Sequence, residues 1–366
     1  MNLVSLRLRR FRNIDALDQE FGPARHVIYG PNAYGKTSVL EAIHLLALGR
    51  SHRTTRDTEV IQYGAGGAYV CGRFQDENQA VSEIEIAITP AGKRLRINHT
   101  VVPRLSALLG KVLLVILTPD DLKLVRGAPS HRRRWLDAAI STLDVTYLKR
   151  LQEYQHVLKQ RNVVLRGRHL GGFDPKLLEV LDQSIVPAGT DVVLARYDFL
   201  REFDRHFRSI YASLCANVET ADVFYASRVA DGPSLKENYE RRFEASRAED
   251  FRYATTSFGP HRDDLRLRIN GEDAHRFASQ GQARTLAIAL RLAQMAMIRR
   301  RVRRMPIILV DDLPSALDAN RASNLLRLLP ADGQVFITST ERRYAEEFVG
   351  EATYWKLENG KLTLRS

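Results

Sequence analysis

Residues 30–37 read Gly30-Pro31-Asn32-Ala33-Tyr34-Gly35-Lys36-Thr37, which matches the whole G-x-x-x-x-G-K-[ST] pattern of a phosphate-binding loop. The short apolar run Val27-Ile28-Tyr29 precedes this loop and predicts a buried strand. The apolar stretch from Ser38 to Leu48 follows it and predicts a helix that stops at Gly49. Backbone N–H groups at the start of such a helix converge on a phosphate, and the helix dipole favours the negative charge. The chain is therefore predicted to bind a nucleoside triphosphate.

Two side chains of the loop carry the chemistry of this predicted site. Lys36 is expected to reach the β- and γ-phosphates, and the Thr37 hydroxyl is expected to ligate Mg²⁺. The rest of the loop is expected to surround the phosphates: Gly30, Pro31, Asn32, Ala33, Tyr34 and Gly35. The alternative is a glycine-rich turn without a ligand, but the flanking strand and helix favour a nucleotide site.

Length and composition indicate a globular protein of about two domains, since the chain has 366 residues and 44% of them are hydrophobic. No stretch approaches the run of about 18 apolar residues that crosses a membrane. The first residues lack the basic-then-apolar order of a secretory signal. Cys71 and Cys215 lie far apart without metal-ligand spacing. A reduced, cytoplasmic protein without a membrane partner is therefore predicted.

The predicted organisation is a sheet-rich beginning and an α/β end around a helical middle. Residues 81–88 alternate between apolar and polar side chains, which is typical of a half-buried antiparallel strand. Pro187 and Gly189 are expected to break or bend the chain, and residues 167–172 to form a loop. Asn270-Gly271 predicts a hairpin turn. Helices are predicted over 132–140, 144–165, 203–214 and 322–329, and buried strands over 307–310 and 335–337.

A pair of carboxylates ends the apolar run that closes at Val310. Asp311 is predicted to be the second Mg²⁺ partner, directly or through water, because it stands at the carboxyl end of a buried strand. Asp312 occupies the next position, where a general base or a water-orienting carboxylate is expected. The alternative is an Asp-Asp pair that opens a turn.

Two further motifs decide the class of nucleotide site. Ser279-Gln280-Gly281-Gln282 precedes a long helical stretch, where Ser279 alone would be read as a helix cap. Ser315-Ala316-Leu317-Asp318 follows the Asp pair. The order of P-loop, S-x-G-Q, Asp-Asp and S-x-L-D resembles the ABC-type ATPase head. That resemblance implies ATP as the nucleotide and a head-to-head dimer in which Ser279 and Gly281 meet the γ-phosphate held by the partner. It also implies nucleotide contacts from Gln282, Ser315 and Asp318.

Longer blocks narrow the resemblance to the RecF family of bacterial recombination mediators. Residues 119–137, from Pro119 to Asp137, resemble its long internal signature, and residues 11–13, 49–54 and 259–265 resemble three more blocks. The likeness runs in order through essentially the whole chain. Trp135 stands where Phe or Tyr is usual, and Ala316 stands where Glu is frequent. Transporter ATPases carry a switch histidine where this chain has Thr338-Ser339-Thr340, and their Q-loop glutamine has no counterpart near Pro119.

The resemblance implies an α/β fold, an SMC/Rad50-like ABC head without a long coiled coil. Lobe I, the P-loop lobe, is expected to comprise residues 1–117 and 296–366. The mainly helical lobe II is expected to comprise residues 118–295 and to end in the S-x-G-Q helix.

The implied function is an ATP-dependent DNA-binding switch in recombinational repair. By resemblance it acts at gaps and at junctions of single-stranded and duplex DNA, with RecR and RecO, and helps RecA onto DNA. Asp312 is one methylene shorter than the catalytic glutamate of many ABC heads, so ATP hydrolysis is expected to be slow. A transporter ATPase subunit and an SMC-like arm protein are the alternatives. Residues 38–278 lack the sustained heptads that an arm protein needs.

The formal net charge of +12 favours a polyanionic partner, nucleic acid first and an acidic membrane surface second. A generic basic surface is the alternative. Arg12 could instead lie near the nucleotide, and the arginines of the internal signature could pack or bridge the lobes. Those at residues 299–301 could complement a helix dipole. The candidate DNA contacts are Arg7, Arg9, Arg10 and Arg12, then Arg132, Arg133 and Arg134, and the basic run that includes Arg299, Arg300 and Arg301.

Overall fold

A computed structural model describes residues 1–170, 172–312, 319–342, 346, 349, 351–358 and 360–365. The chain forms two compact units. Unit 1 comprises residues 1–121, 213–217 and 284–366, and unit 2 comprises residues 122–212 and 218–283. The lobe boundaries predicted from the sequence stay predictions. Among the described residues, no helix has both the length and the apolar character that a bilayer span requires.

Strands and helices are numbered separately in chain order. The strands are β1 (Asn2–Phe11), β2 (Ile14–Glu20), β3 (Arg25–Tyr29), β4 (Ala68–Gln75), β5 (Val81–Thr89), β6 (Gly92–Ile97), β7 (Thr100–Val102), β8 (Leu114–Leu117), β9 (Ala221–Ala226), β10 (Asp264–Ile269), β11 (Glu272–Asp273), β12 (Ile307–Val310), β13 (Val335–Ser339), β14 (Thr353–Glu358) and β15 (Lys361–Arg365). The helices are α1 (Lys36–Leu48), α2 (Leu122–Arg126), α3 (Pro129–Leu143), α4 (Val145–Leu170), α5 (Pro175–Leu214), α6 (Leu235–Ala245), α7 (Arg247–Tyr253), α8 (Ala274–Phe277), α9 (Gln280–Val302) and α10 (Ala319–Leu328).

Unit 1 contains a six-stranded antiparallel sheet in the order β2-β1-β4-β5-β6-β7. The alternation predicted for residues 81–88 is confirmed in β5. Ile84, Ile86 and Ile88 are buried in the core, while Glu83 and Glu85 lie on the opposite face of the sheet. The outer face of this sheet is therefore polar.

The second sheet of unit 1 has the order β15-β14-β3-β13-β12-β8, and all neighbours except β14 and β15 run parallel. The predicted strands at residues 307–310 and 335–337 are confirmed as β12 and β13. Because β13 lies between β3 and β12, the carboxyl ends of these three parallel strands meet at one edge of the sheet. At that edge, the P-loop follows β3 and Asp311 follows β12, while Thr338 is the next-to-last residue of β13.

Helix α1 belongs to the hydrophobic core of unit 1, together with residues of both sheets. Apart from Thr37 and Leu48, every residue of α1 is buried, which explains why most of its residues are apolar. The helix ends as predicted at Gly49, whose φ of 71° allows the left-handed cap. Its start is thereby fixed against the core at the end of β3.

Unit 2 combines helices with a three-stranded sheet in the order β11-β10-β9. The predicted hairpin is confirmed, since Asn270 and Gly271 have φ values of 49° and 86° between β10 and β11. Arg196 is 2% exposed and forms an ion pair with Asp137 at 2.8 Å. The buried interior of this unit is therefore partly polar, and its charges are paired.

Two sequence expectations for unit 2 differ from the structure. Helix α5 is not broken at Pro187 and Gly189, because Ile185 and Val192 on either side are buried and their packing outweighs the proline cost of about 3 kcal/mol, while the bend stays a prediction. A Cβ on Gly189 would lie 2.1 Å from the hydroxyl of Tyr239, so this glycine permits close packing and does not end the helix. Helix α4 extends to Leu170, into the loop that was predicted from residue 167.

Candidate functional site

The P-loop joins β3 to α1 and depends on glycine at both ends. Gly30 and Gly35 have φ values of 149° and 101°, and Gly35 is the residue before the first turn of α1. A Cβ on Gly30 would lie 2.7 Å from the carbonyl oxygen of Leu357, and one on Gly35 would lie 2.9 Å from Oδ1 of Asn13. A side chain at Gly30 would therefore clash with the backbone of β14, and one at Gly35 would clash with the side chain of Asn13.

Lys36 lies across the inside of the loop. Its Nζ donates to the carbonyl oxygens of Gly30 at 2.7 Å and Pro31 at 2.9 Å. Burial lowers the pKa of Lys36, while the nearby carboxylates of Asp312 and Asp311 act in the opposite direction. The ammonium is therefore held beside the loop, where it can exchange carbonyl partners for phosphate oxygens.

Thr37 and Asp311 come together as predicted for a magnesium site. The Thr37 hydroxyl donates to Oδ1 of Asp311 at 2.9 Å, and Asp311 is 7% exposed. Thr338 also donates to the same Oδ1, at 2.8 Å. A hydroxyl and a carboxylate are the oxygen donors that Mg²⁺ uses beside nucleotide phosphates, so this donor set fits the ion.

Asp312 has an unusual backbone conformation. Its φ is 48°, in the left-handed region that few residues other than glycine adopt, and its backbone N–H donates to the Thr338 hydroxyl at 3.0 Å. Such conformations persist where the surroundings over-determine them, often at functional sites. The role of Asp312 as general base stays a prediction.

These groups line one pocket of about 480 Å³. The structure brings together seven of the residues predicted from the sequence: Asn32, Ala33, Gly35, Lys36, Thr37, Asp311 and Asp312. Gly30 and Pro31 contribute through the Lys36 contacts, while Tyr34 is 40% exposed and does not line the pocket. The remaining lining residues are Arg12, Asn13, Ser38, Arg53, Glu59, Ile61 and Thr338.

Asn13 and Thr338 belong to the site although no role in it was predicted for them. Asn13 Nδ2 donates to the carbonyl oxygen of Ala33 at 2.6 Å, and its Oδ1 accepts from Ser38 at 3.0 Å, so it fastens the loop to α1. Thr338 contacts both aspartates from the end of β13. The role of Thr338 could have been predicted from its position at the carboxyl end of a predicted buried strand.

A buried carboxylate organises the arginine side of the pocket. Glu41 of α1 is fully buried and accepts from Arg12 at 2.6 and 2.9 Å, from Arg53 at 3.2 Å and from Ser51 at 2.5 Å. Burial by itself raises the pKa of Glu41, but the hydrogen bonds from Arg12 and Ser51 outweigh it, so the pKa lies below its usual range. Glu41 thus holds Arg12 and Arg53 at the pocket. Of the two alternatives for Arg12, this position favours a place near the nucleotide over a contact with DNA.

The S-x-G-Q motif lies in unit 2 and caps helix α9. Gln282 N donates to the Ser279 hydroxyl at 3.2 Å, and Ser279 N donates to Oε1 of Gln282 at 2.7 Å, which is a reciprocal capping box. Gln282 Nε2 also donates to Glu219 at 2.8 Å. Ser279 is exposed at the start of the helix, two residues before Gly281. Ser315, Ala316 and Asp318 lie outside the described residues.

The candidate DNA-binding arginines differ in their surroundings. Arg132 is buried and forms a bidentate pair with Asp264 at 2.7 and 2.8 Å, and Arg133 donates to the carbonyl oxygen of Asp263 at 2.7 Å. These contacts favour the packing alternative for both residues. Arg134 is exposed. Exposed arginines also occupy the last turn of α9, at Arg299, Arg300 and Arg301.

Comparison with known proteins gives matches over the full length. The family model described as RecF/RecN/SMC N terminal domain matches residues 2–360. The DNA replication and repair protein RecF of Exiguobacterium sp. is 35% identical over 372 aligned positions, which cover 100% of both chains. RecF of Halalkalibacterium halodurans is 36% identical and covers 99% of each chain. These relatives have the same extent as this chain.

Solved structures agree with the fold. A structure titled as the recombination mediator protein RecF-ATP in the RecFOR pathway has a TM-score of 0.91 at 29% identity and covers 100% of this chain and 97% of its own. The corresponding RecF-ATPrS structure has a TM-score of 0.89 at 30% identity, with coverage of 100% and 98%. An Smc head domain from Pyrococcus furiosus reaches 0.60 at 17% identity, with coverage of 100% and 96%, and supports the fold alone. The predicted SMC-like head fold is confirmed.

Proposed function

Because the chain belongs to the RecF/RecN/SMC N-terminal domain family, and within it to the RecF proteins, we propose that it is an ATP-dependent DNA-binding switch of recombinational repair. The observation that carries the proposal is the 2.9 Å contact between Thr37 and Asp311. It joins the P-loop hydroxyl to the carboxylate at the end of β12, as a magnesium–nucleotide site requires. The relatives named for DNA replication and repair supply the process.

The proposed reaction is slow hydrolysis of ATP to ADP and phosphate. Lys36 would bind the β- and γ-phosphates, Thr37 and Asp311 would hold Mg²⁺, and Asp312 would orient the attacking water. Bound Mg²⁺ would neutralise part of the phosphate charge. The backbone of Asp312 is fixed by the bond from its N–H to Thr338, so its short side chain has limited reach. Limited reach favours a long-lived ATP state over rapid turnover.

We further propose that ATP joins two copies of the chain. Ser279 is exposed at the N-terminus of the 23-residue helix α9, where backbone N–H groups and the helix dipole favour a phosphate. Ser279 and Gly281 of one copy would meet the γ-phosphate bound by the other. ATP then favours the dimer because it makes these contacts only there.

The proposed target is DNA at gaps and at junctions of single strands with duplex. The net charge of +12 and the exposed arginines Arg134 and Arg299–Arg301 suit phosphate contacts that carry no sequence information. The RecFOR pathway named for the structural relatives makes RecR, RecO and RecA the proposed partners in the cytoplasm.

Gel shifts on gapped, single-stranded and duplex DNA, with and without ATP, test this function. We expect ATP to strengthen binding to gapped DNA, the affinity to fall steeply with salt, and Lys36→Ala to remove the ATP effect. Arg134→Ala should weaken binding equally on all sequences, whereas Lys236→Ala, an exposed cation of α6, serves as the matched control. ATP-independent binding by the wild type would contradict the switch. Absence of DNA binding would favour the transporter alternative.

A further inference from the structure

Three side chains with metal-binding atoms meet on the outer face of the antiparallel sheet of unit 1. They are Glu83 and Glu85 of β5 and His99 of the turn between β6 and β7. His99 Nδ1 lies 3.4 Å from Oε1 of Glu83 and 3.4 Å from Oε1 of Glu85. These separations exceed the usual hydrogen-bond range of about 2.7–3.2 Å. They match the edge of about 3.3–3.4 Å in a tetrahedron whose metal–ligand bonds are about 2.0–2.1 Å.

Glu85 presents a buried oxygen toward this cluster. Its side chain is 12% exposed, and Oε1 is buried without a hydrogen-bond partner, whereas Oε2 accepts from the Tyr69 hydroxyl at 2.8 Å. A buried carboxylate oxygen without a donor is destabilising, because it has lost its water and gained no partner. Arg73 and Arg96, the cross-strand neighbours of Glu83 and Glu85, form no ion pair with them within the described part of the chain. A bound cation would supply the missing partner.

The main chain fixes the three donors relative to one another. Asn98 N donates to the carbonyl oxygen of Glu83 at 2.8 Å, and Glu83 N donates to Oδ1 of Asn98 at 2.8 Å. Two hydrogen bonds between Asn98 and Glu83 therefore hold the turn that carries His99 to β5. Tyr69 fixes the Glu85 carboxylate in the same way that outer hydrogen bonds orient metal ligands.

We propose that Glu83, Glu85 and His99 form a binding site for a divalent transition-metal ion of the Zn²⁺ class, separate from the nucleotide pocket. One imidazole nitrogen and two carboxylates suit Zn²⁺ or Co²⁺, and the imidazole disfavours Mg²⁺ and Ca²⁺. His99 has 81% of its side chain exposed, so the ion can enter from solvent and complete its coordination with water. The bound metal would tie the β6–β7 turn to β5.

The test is titration of the metal-stripped full chain, without nucleotide, with ZnCl₂ by calorimetry and with CoCl₂ by absorption. We expect one ion per chain, the visible bands of tetrahedral Co²⁺, and a loss of affinity of at least tenfold in His99→Ala and Glu85→Gln. Glu20→Gln and His275→Ala, which change an exposed carboxylate and an exposed imidazole elsewhere, should bind as the wild type does.

Two results would overturn the site. One is a wild-type chain that takes up neither metal, which would leave only a surface ion pair of His99 with the two glutamates. The other is unchanged metal affinity in both His99→Ala and Glu85→Gln, when circular dichroism shows that the two variants are folded like the wild type. Cys71→Ser should leave binding unchanged, because the thiol is not in the proposed ligand set.

Discussion

The hydroxyl of Thr37 lies 2.9 Å from Oδ1 of Asp311, although 274 positions separate the two residues. The contact exists because β3, which precedes the P-loop, and β12, which precedes Asp311, are separated by one strand of a parallel sheet. That intervening strand, β13, ends at Thr338 and Ser339, and Thr338 donates to the same carboxylate oxygen at 2.8 Å. The proposed magnesium site is thus assembled at the carboxyl edge of the sheet from three strands.

Removing the Thr338 hydroxyl should weaken Mg²⁺ binding at the proposed site, because this hydroxyl holds the proposed ligand Asp311 in place. Thr338→Val is nearly the same size, and it removes both the bond to Asp311 and the acceptor for Asp312 N–H. We expect Mg²⁺-dependent ATP affinity to fall about 10–100-fold, as is usual for outer-shell partners. Calorimetric titration with ATP at fixed Mg²⁺ measures the loss. Thr340→Val is the matched control, because Thr340 is exposed beyond the same strand, and an equal loss in both variants would disprove the role.

Lengthening the proposed base should speed hydrolysis. Asp312→Glu adds one methylene and extends the carboxylate toward the reach that many ABC heads have. We expect a higher kcat with little change in KM, because only the positioning of water changes. Steady-state phosphate release measures it, and Asp312→Asn should be inactive. A turnover that is unchanged or lower in Asp312→Glu would argue against short reach as the cause of slow hydrolysis.

Blocking the S-x-G-Q motif should separate nucleotide binding from dimerisation. Ser279→Arg fills the exposed start of α9 with a bulky side chain, while the P-loop of the same chain is unaltered. We expect ATP-dependent dimerisation to be lost and ATP affinity of the monomer to stay within about twofold, since binding by one copy uses unit 1. Light scattering coupled to gel filtration reports the oligomer, and Lys36→Ala is the control that loses both.

Loss of the capping box alone should cost about 1 kcal/mol. Ser279→Ala should therefore lower the free energy of unfolding slightly, which thermal unfolding measures alongside Ser279→Arg. A Ser279→Arg chain that still dimerises on ATP addition would refute the shared site.

Acid should destabilise the chain through His44. Burial and the neighbouring His52 lower the pKa of His44 from 6.5 to about 3, and its Nδ1 contacts the carbonyl oxygen of Arg50 at 2.9 Å. The folded pKa lies below the unfolded one, so the stabilising effect of neutral His44 is complete above pH 6.5 and is lost as the pH falls toward 3. His44→Asn keeps a donor and removes the titration. Urea unfolding should show a weaker loss between pH 6.5 and 4 in His44→Asn than in the wild type.

The control for that measurement is His275→Asn, which changes an exposed histidine and should follow the wild-type pH dependence. Parallel curves for the wild type and His44→Asn would mean that His44 is not the acid-sensitive group.

Local patterns predicted much of the fold correctly. The P-loop, the helix that ends at Gly49, the alternating strand at residues 81–88 and the Asn270-Gly271 hairpin all follow from residues adjacent in the chain. The break that was one of the two alternatives at Pro187 shows where this reasoning fails. A local helix-breaking preference of about 3 kcal/mol was outweighed by buried neighbours that the sequence does not bring together.

The arginines illustrate the same limit within the site. Arg12, Arg53 and Arg132 look alike in the sequence, as cations of a basic chain. In the structure, Arg12 and Arg53 form ion pairs with buried Glu41 beside the nucleotide pocket, and Arg132 forms one with Asp264 inside unit 2. Charge alone could not separate these roles, because the partner of each guanidinium lies far along the chain.

The placement of Lys36 and Thr37 on a strand–loop–helix unit follows from local sequence, because the glycines and apolar residues that specify this unit are neighbours in the chain. The hydrogen bonds of Thr338 to Asp311 and of Asn13 to the loop, in contrast, arise from long-range packing. Those contacts depend on the strand order β3-β13-β12 and on the turn between β1 and β2. Strand order is set by packing of the whole unit around α1, and no local pattern encodes it.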